Sequence, residues 1–371
     1  MNSLFELLQI ALGNREKLSR VLSAVEWQEM LEEIQRQTIV GVMLDGLERI
    51  PQEDKPARIV LLQWIGLAQM IEKKNQQLNY IAESITKIFN NGGLQSCILK
   101  GQGLARLYPN PLHRQCGDID LWVEPRRNSS KKIGVQEKRK KILSWLKSNY
   151  YKYGGVVIHH VDAEIFTEAA TEIHFIPMWL YCPWHNRRLQ HFFQRQSERQ
   201  FSHYNKECGF SYPTADFNSV YCLVHLFHHL LDEGVGLRQV IDYYYVLKEM
   251  ENLSSVNKEI VFSTIRSIGL SKFASAMMWV LKEVCRMPEG WMICKADEKA
   301  GRFVLEEIMR SGIFGQYDER NRHQLKEGAL SRNYRKWKRQ WQFVRFYPSE
   351  VLCIPEWKLW HWCWRKYHHY I

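Results

Sequence analysis

Apolar positions in the first 91 residues recur at helical spacing. Leu4, Leu7, Leu8 and Ile10 to Leu12 form one set, and Ile71, Leu78, Ile81, Ile85 and Ile88 form another. Pro51 and Pro56 break the helical stretch, and Asn90-Asn91-Gly92-Gly93 supplies a helix stop. The pattern changes after Gly93. Leu94 to Leu99 reads as a buried strand, Lys100-Gly101-Gln102-Gly103 as a turn, and Leu104 to Tyr108 as a short helix closed by Asn110-Pro111. Asp118 to Val123 alternates as a second strand. A helix is expected over 137–149, and strands at Val156 to Ile158 and Glu172 to Ile176, with Gly154-Gly155 as the preceding breaker. From about residue 216 the helical period returns, with one stripe of Val220, Leu223, Val224, Phe227, Leu230 and Leu231 and another of Val240, Ile241, Tyr244 and Leu247. The pattern predicts an α+β protein: a small mixed β-sheet core with helices, flanked by N-terminal and C-terminal helical regions. The expected division is a helical region over 1–91, an α/β core over 92–212, a helical domain over 213–331 and a tail over 332–371.

Composition narrows the class. With 14 Trp, 17 Tyr and 16 Phe in 371 residues, the chain has ample apolar surface to bury, which excludes intrinsic disorder as its main state. The longest apolar run, Ile59 to Ile71, is interrupted by Gln63 and Gln69 and falls short of the roughly 18 residues of a membrane span. Glu6 stands where a signal peptide carries basic charge. The nine cysteines form no C-x-x-C pair, so the expectation is a cytoplasmic protein with reduced thiols.

The net charge of +11 points to an anionic partner. Two segments concentrate it. Residues 126–141 hold eight Lys/Arg against Glu137, and the tail 332–371 holds nine against two Glu, together with six of the 14 Trp. Both suit contact with RNA or an anionic membrane surface. The plainer expectations are a solvated loop running into a helix for the first and docking onto the helical domain for the second. Pro348 and Pro355 argue against one long helix in the tail. No obligate protein partner is inferred.

The chemistry centres on Lys100-Gly101 and Gly117-Asp118-Ile119-Asp120-Leu121. On a strand, Asp118 and Asp120 project from one face while Ile119 and Leu121 enter the core. Two such carboxylates can chelate one Mg²⁺ or share two ions about 4 Å apart. Gly117 would let the backbone approach closely, and Lys100-Gly101 would offer a charge and backbone N–H groups to phosphate. Glu172 fits as a third carboxylate from a neighbouring strand, with His174 on the same face. His225, His228, His229 and Asp232 share a helix, and hydrogen bonding is their simplest role. Arg238 and Asp242 stand at i, i+4, the spacing of a helix-surface ion pair. One of His159 and His160 could face the site by alternation.

Leu99-Lys100-Gly101, Leu107-Tyr108-Pro109, Arg114 and Gly117 to Leu121 resemble the signature of the uncharacterised bacterial nucleotidyltransferase family of the polymerase-β-like superfamily. Glu172-Ile173-His174 resembles its Glu-x-His segment, and Leu237-Arg238 through Asp242 its helical Leu-Arg…Asp motif. The likeness runs from about Leu94 to Leu247. It implies Asp118 and Asp120 as metal ligands, Glu172 as third ligand or base, and a phosphate site that includes Lys100, Gly101, Gly117, Arg114 and Arg238. The chain departs from the superfamily's usual Gly-Ser or Gly-Gly turn. The implied reaction is Mg²⁺-dependent attack of an acceptor on the α-phosphate of a nucleoside triphosphate, with the acceptor unidentified: sugar, small molecule, RNA or protein. Two rivals stay open, namely a metal-dependent glycosyltransferase and an inactive scaffold that binds nucleic acid, membrane or a partner. The first needs a nucleotide-binding βαβ region before the Asp-x-Asp, where the sequence reads as helices.

Overall fold

A computed structural model describes residues 3–126, 133–251, 255–312, 315 and 329–370. Four helices come first: α1 (Ser3–Ala11), α2 (Ala24–Arg36), α3 (Val40–Arg49) and α4 (Arg58–Asn91). At the start of α2 the Ser23 hydroxyl accepts the Glu26 amide while the Glu26 carboxylate accepts that of Ser23, a reciprocal cap. Pro51 and Pro56 fall between α3 and α4, and α4 stops at Gly92.

The sheet contains β1 (Leu94–Ile98), β2 (Ile119–Pro125), β3 (Lys152–Gly154), β4 (His160–Phe166) and β5 (Ala169–His174), in the spatial order β1-β2-β5-β4-β3. Only the β2–β5 pair is parallel, so the sheet is mixed. The short α5 (Gln102–Ala105) follows β1, and α6 (Val135–Ser148) follows β2. Val156 to Ile158 is not a strand. The Val157 N–H bonds the His160 carbonyl, so this triplet turns the chain into β4. Strand β5 ends at His174, because the amides of Phe175 and Ile176 both go to the His159 carbonyl.

Beyond the sheet come α7 (Pro183–Ser202), a hairpin of β6 (Tyr204–Asn205) and β7 (Phe210–Ser211), then α8 (Ala215–Asp232), α9 (Leu237–Met250), α10 (Ser255–Ser267), α11 (Ser271–Cys285), α12 (Glu298–Ser311), α13 (Ala329–Trp341) and α14 (Pro348–Tyr367). As the prolines predict, the tail is not one long helix: α13 ends at Trp341 and α14 begins at Pro348, although Pro355 does not end α14. Pro348 occupies its first turn, where the missing N–H costs nothing, and the helix continues past Pro355.

Two hydrophobic cores meet at the sheet. Leu121, Ile173 and Val161 share a register row and pack with Ile81, Ile85 and Phe89 of α4 and Ile142 and Leu146 of α6. On the other face Trp122 lies against the rings of Phe201 and Phe217 and joins a core that runs through α1 to α3 and α8 to α12. The buried side chains of α1 to α3 therefore belong to one core with those of the C-terminal helices. Asn14 donates to the Tyr244 hydroxyl and the Cys285 carbonyl, and Gln9 to the Glu283 and Val284 carbonyls. The far half of α4 belongs to the sheet instead. Among the described residues no helix is long and apolar enough to cross a membrane.

The basic segments are partly consumed by the fold. Residues 127–132 lie outside the described residues. Lys138 is buried on Glu124, and Arg139 is buried with its guanidinium over the Phe175 and Trp364 rings and bonded to the Ile158 carbonyl. In the tail, Trp357 stacks on Trp179 with ring centres 5.2 Å apart, whereas Trp337, Trp341, Trp360 and Trp362 are exposed.

Candidate active site

The alternation of β2, β4 and β5 builds one polar row across the sheet. Asp120 is the register partner of Glu172, and Glu172 that of Asp162. One step along, His174 pairs with Trp122 on one side and His160 on the other. Side chains two residues apart share a face, so carboxylates and imidazoles lie together. His174 Nε2 stands 3.0 Å from Asp120 Oδ1 and 3.4 Å from Glu172 Oε2. His160 bridges outward, 3.6 Å from Glu172 and 3.5 Å from Asp162.

Lys100 enters from the end of β1. The Leu99 N–H bonds the Asp120 carbonyl at 2.9 Å, and Gly101 takes φ +51°, the left-handed region that lets the chain turn into α5. The Lys100 ammonium lies 2.8 Å from Asp120 Oδ1 and 3.0 Å from His225 Nε2. The amides of Gly103 and Ala105 are spent inside the turn on the carbonyls of Lys100 and Gly101.

The electrostatics follow from burial and pairing. Burial alone favours neutral Asp120, but Lys100 and His174 outweigh it and hold the carboxyl below its ordinary range. Glu172 is opposed by burial in the same way, yet its hydrogen bond to His174 brings it down to about 2. Burial works against His174⁺, and its bonds to Asp120 and Glu172 still raise it to about 9. Burial and the neighbouring His174 push His160 down to about 4. At neutral pH the pair Asp120/Glu172 is therefore balanced by Lys100 and His174, both cations of the chain itself.

Asp120 is 1 % exposed, and its Oδ2 has no hydrogen-bond partner. Asp120, Glu172 and His174 each offer a ligand atom within 4.8 Å of the others, well inside the roughly 10 Å at which the two carboxylates could no longer serve one site. An orphaned buried carboxylate oxygen with a second carboxylate, Glu172, beside it suits a divalent cation. Asp118 sits in the bend before β2, half-buried, and joins no such group among the described residues. It lies where two cavities meet. The first, between sheet and helices, is lined by Lys100, Gly101, Gly117, Asp118 and Asp120 on one side and by Tyr221, His225, Arg238 and Asp242 on the other. The second, of ≈ 500 Å³, runs along β3 and β4 past Lys152, Tyr153, Asp162, Glu164 and Glu172.

Two residues expected at phosphate are placed differently. Arg114 is buried and grips Asp242 with two bonds, Nε–Oδ1 at 2.7 Å and Nη2–Oδ2 at 2.8 Å, while the Tyr108 hydroxyl donates to the same carboxylate at 2.6 Å. Arg114 lines the cleft while its guanidinium is held by Asp242, which pairs across the cleft rather than with Arg238. Arg238 keeps a place on the cleft wall. It donates to the Gln115 carbonyl, and its Nε has no partner. Gly117 is exposed, and a Cβ there would meet nothing within 4 Å, so any need for glycine arises from what binds rather than from the chain.

On α8 the histidines form hydrogen bonds. His228 meets Asp232 at 3.0 Å, His229 meets Glu233 at 3.1 Å, and His225 connects His229 to Lys100. Sequence reasoning placed His174 on this face without a role and passed over Asp162. The signal for Asp162 is the alternation His160-Val161-Asp162-Ala163-Glu164, which the search for apolar runs overlooks.

A family model described as uncharacterised nucleotidyltransferase matches residues 23–286. No curated protein and no solved structure matches the chain.

Proposed function

The chain belongs to that nucleotidyltransferase family, and on that premise we propose that it moves a nucleoside monophosphate from a nucleoside triphosphate to a hydroxyl acceptor. The observation that carries the reading is the register partnership of Asp120 and Glu172, with Lys100 on Asp120 Oδ1 and Asp120 Oδ2 buried and unpartnered. Asp120 and Glu172, with Asp118 beside them, would hold Mg²⁺. When bound, the metal neutralises triphosphate charge and acidifies the attacking hydroxyl.

The chain's own groups supply the rest. Lys100 and Arg238 face the cleft as the cations for phosphate oxygens, positioned before the substrate arrives. The acceptor oxygen bonds to the α-phosphorus as the bond to the bridging oxygen breaks, and pyrophosphate leaves. Asp162, whose carboxyl is raised by burial and by Glu172, faces the second cavity and is placed to receive the acceptor's proton. That cavity carries Asp118, Asp162, Glu164 and Glu172 against Lys152. An acidic wall repels a polyanion, which favours a small hydroxylated acceptor over RNA.

The glycosyltransferase reading loses its support, because the described residues before β1 are all helix, turn or loop. The test is binding of the four ribonucleoside triphosphates with and without Mg²⁺, on the wild type, Asp118→Ala/Asp120→Ala and Glu172→Gln. Metal-dependent binding that both variants lose is expected. Wild-type protein that binds no triphosphate would leave the inactive-scaffold reading.

A further inference from the structure

A second group of metal-ligating side chains lies where the C-terminal helix meets the core, away from the sheet carboxylates. Cys182 is the N-cap of α7, with His185 three residues on; Glu350 lies in the first turn of α14, with Cys353 three residues on. The two i, i+3 pairs face each other. Ligand atoms of Cys182, His185 and Glu350 lie within 4.8 Å of one another, and the Cys353 thiol has Cys182 and Glu350 as its neighbours. Glu350 is 1 % exposed and Cys182 7 %.

The carboxylate is held in a particular orientation. Glu350 Oε2 accepts the amides of Tyr181 at 2.8 Å and Cys182 at 3.1 Å, which leaves Oε1 turned to His185 Nδ1 at 2.7 Å. A ligating carboxylate is commonly fixed in this way by outer hydrogen bonds. The imidazole is seated by Gly269, at φ +76°, where a Cβ would come within 2.2 Å of the ring. Two sulfurs, an imidazole nitrogen and a carboxylate oxygen make a donor set suited to four-coordinate Zn²⁺, with bonds of about 2.0–2.3 Å. Mg²⁺, which takes oxygen ligands, is ill matched to thiolates.

We propose that Cys182, His185, Glu350 and Cys353 bind a structural Zn²⁺ that fastens α14 to α7. Its consequence reaches the sheet, because α14 carries Trp357 onto Trp179 and Trp364 over Arg139 of α6. The site is independent of the metal proposed for nucleotidyl transfer.

The test uses the full chain expressed with zinc, desalted, and analysed for metal, then reloaded with Co²⁺. The wild type is expected to retain one Zn²⁺ per chain and to show a thiolate-to-Co²⁺ charge-transfer band with tetrahedral d–d bands. Asp118→Asn/Asp120→Asn keeps both signals. Cys353→Ser, at a half-exposed position and with circular dichroism to verify folding, retains roughly half the charge-transfer intensity, since one of two thiolates remains. The proposal is overturned by a wild type with neither zinc nor the cobalt band. It is equally overturned by a Cys182–Cys353 disulfide in the native protein, or by zinc that survives Cys182→Ser/Cys353→Ser and disappears in the aspartate variant.

Discussion

The ammonium of Lys100 lies 2.8 Å from Asp120 Oδ1, so the chain supplies its own cation to the carboxylate most suited to a metal. Burial opposes the charge on Lys100, but Asp120, with Asp118 and Glu172, keeps it well above the ordinary range. A divalent ion arriving alone competes with this ammonium, whereas one arriving with a triphosphate gives Lys100 a new partner. Lys100→Met is therefore expected to raise nucleotide-free Mn²⁺ affinity by about tenfold or more, since it leaves buried Asp120 and its neighbour Glu172 with His174 as their remaining cation. Triphosphate affinity should fall in the same variant. Calorimetric titration with Mn²⁺, with and without nucleotide, reads both; unchanged Mn²⁺ affinity would discard the competition.

The Arg114–Asp242 pair joins the sheet side of the cleft to α9 and is buried on both sides. Removing one partner of a buried pair leaves the other charge unmatched. Asp242→Asn is expected to destabilise the chain by about 3–5 kcal/mol. Arg114→Lys should also cost stability, because an ammonium cannot reproduce the two-pronged contact. Urea unfolding followed by circular dichroism measures each. A loss below about 1 kcal/mol would place Arg114 among the near-neutral surface pairs.

His113 ties α3 to α4: Nδ1 meets Asp45 at 2.6 Å and Nε2 meets Glu72 at 2.8 Å. Burial opposes its charge, and the hydrogen bonds to Asp45 and Glu72 prevail, so its pKa is raised from 6.5. A group with a raised folded pKa stabilises fully below its unfolded value and loses that contribution as pH rises through the folded one. The stability gap between wild type and His113→Gln should be widest below pH 6.5 and shrink above it. Melting temperatures of the two proteins across that range decide the matter, and a gap that widens with pH contradicts the sign.

The reach of the sequence can be traced through these same residues. Asp120, Glu172 and the Lys100-Gly101 turn were legible because alternation and a local turn fix where they face. The strand at His160 was missed because its apolar side chains, Val161, Ala163 and Ile165, are separated by polar ones, while the compact triplet at Val156 imitates a strand. Arg114 finds Asp242 at a separation of 128 residues. Local spacing instead suggested Arg238 as the partner, and only the packing of α9 against the sheet side decides between them. The shared core of the first helices and α11 is unreadable for the same reason: helical periodicity says which face is apolar, not what covers it.

Arg238 is the converse of Arg114. Its Nη1 donates to the Gln115 carbonyl at 2.7 Å, its Nε is buried without a partner, and no carboxylate pairs with it among the described residues. Burial and the nearby Arg114 lower its pKa, so an anion in the cleft would relieve an existing cost. Removing the guanidinium should leave stability unchanged or slightly improved. Triphosphate binding loses a charge-assisted contact of about 1.5–3 kcal/mol, roughly 10- to 10²-fold in Kd. Arg238→Ala is expected to show that split, and Arg238→Lys, which keeps the charge but not the planar fork, should fall between it and the wild type. Calorimetric Kd values for a triphosphate with Mg²⁺, set beside urea midpoints, separate the two effects. If Arg238→Ala binds as tightly as the wild type, Arg238 is part of the cleft wall and the phosphate contact falls to Lys100 alone.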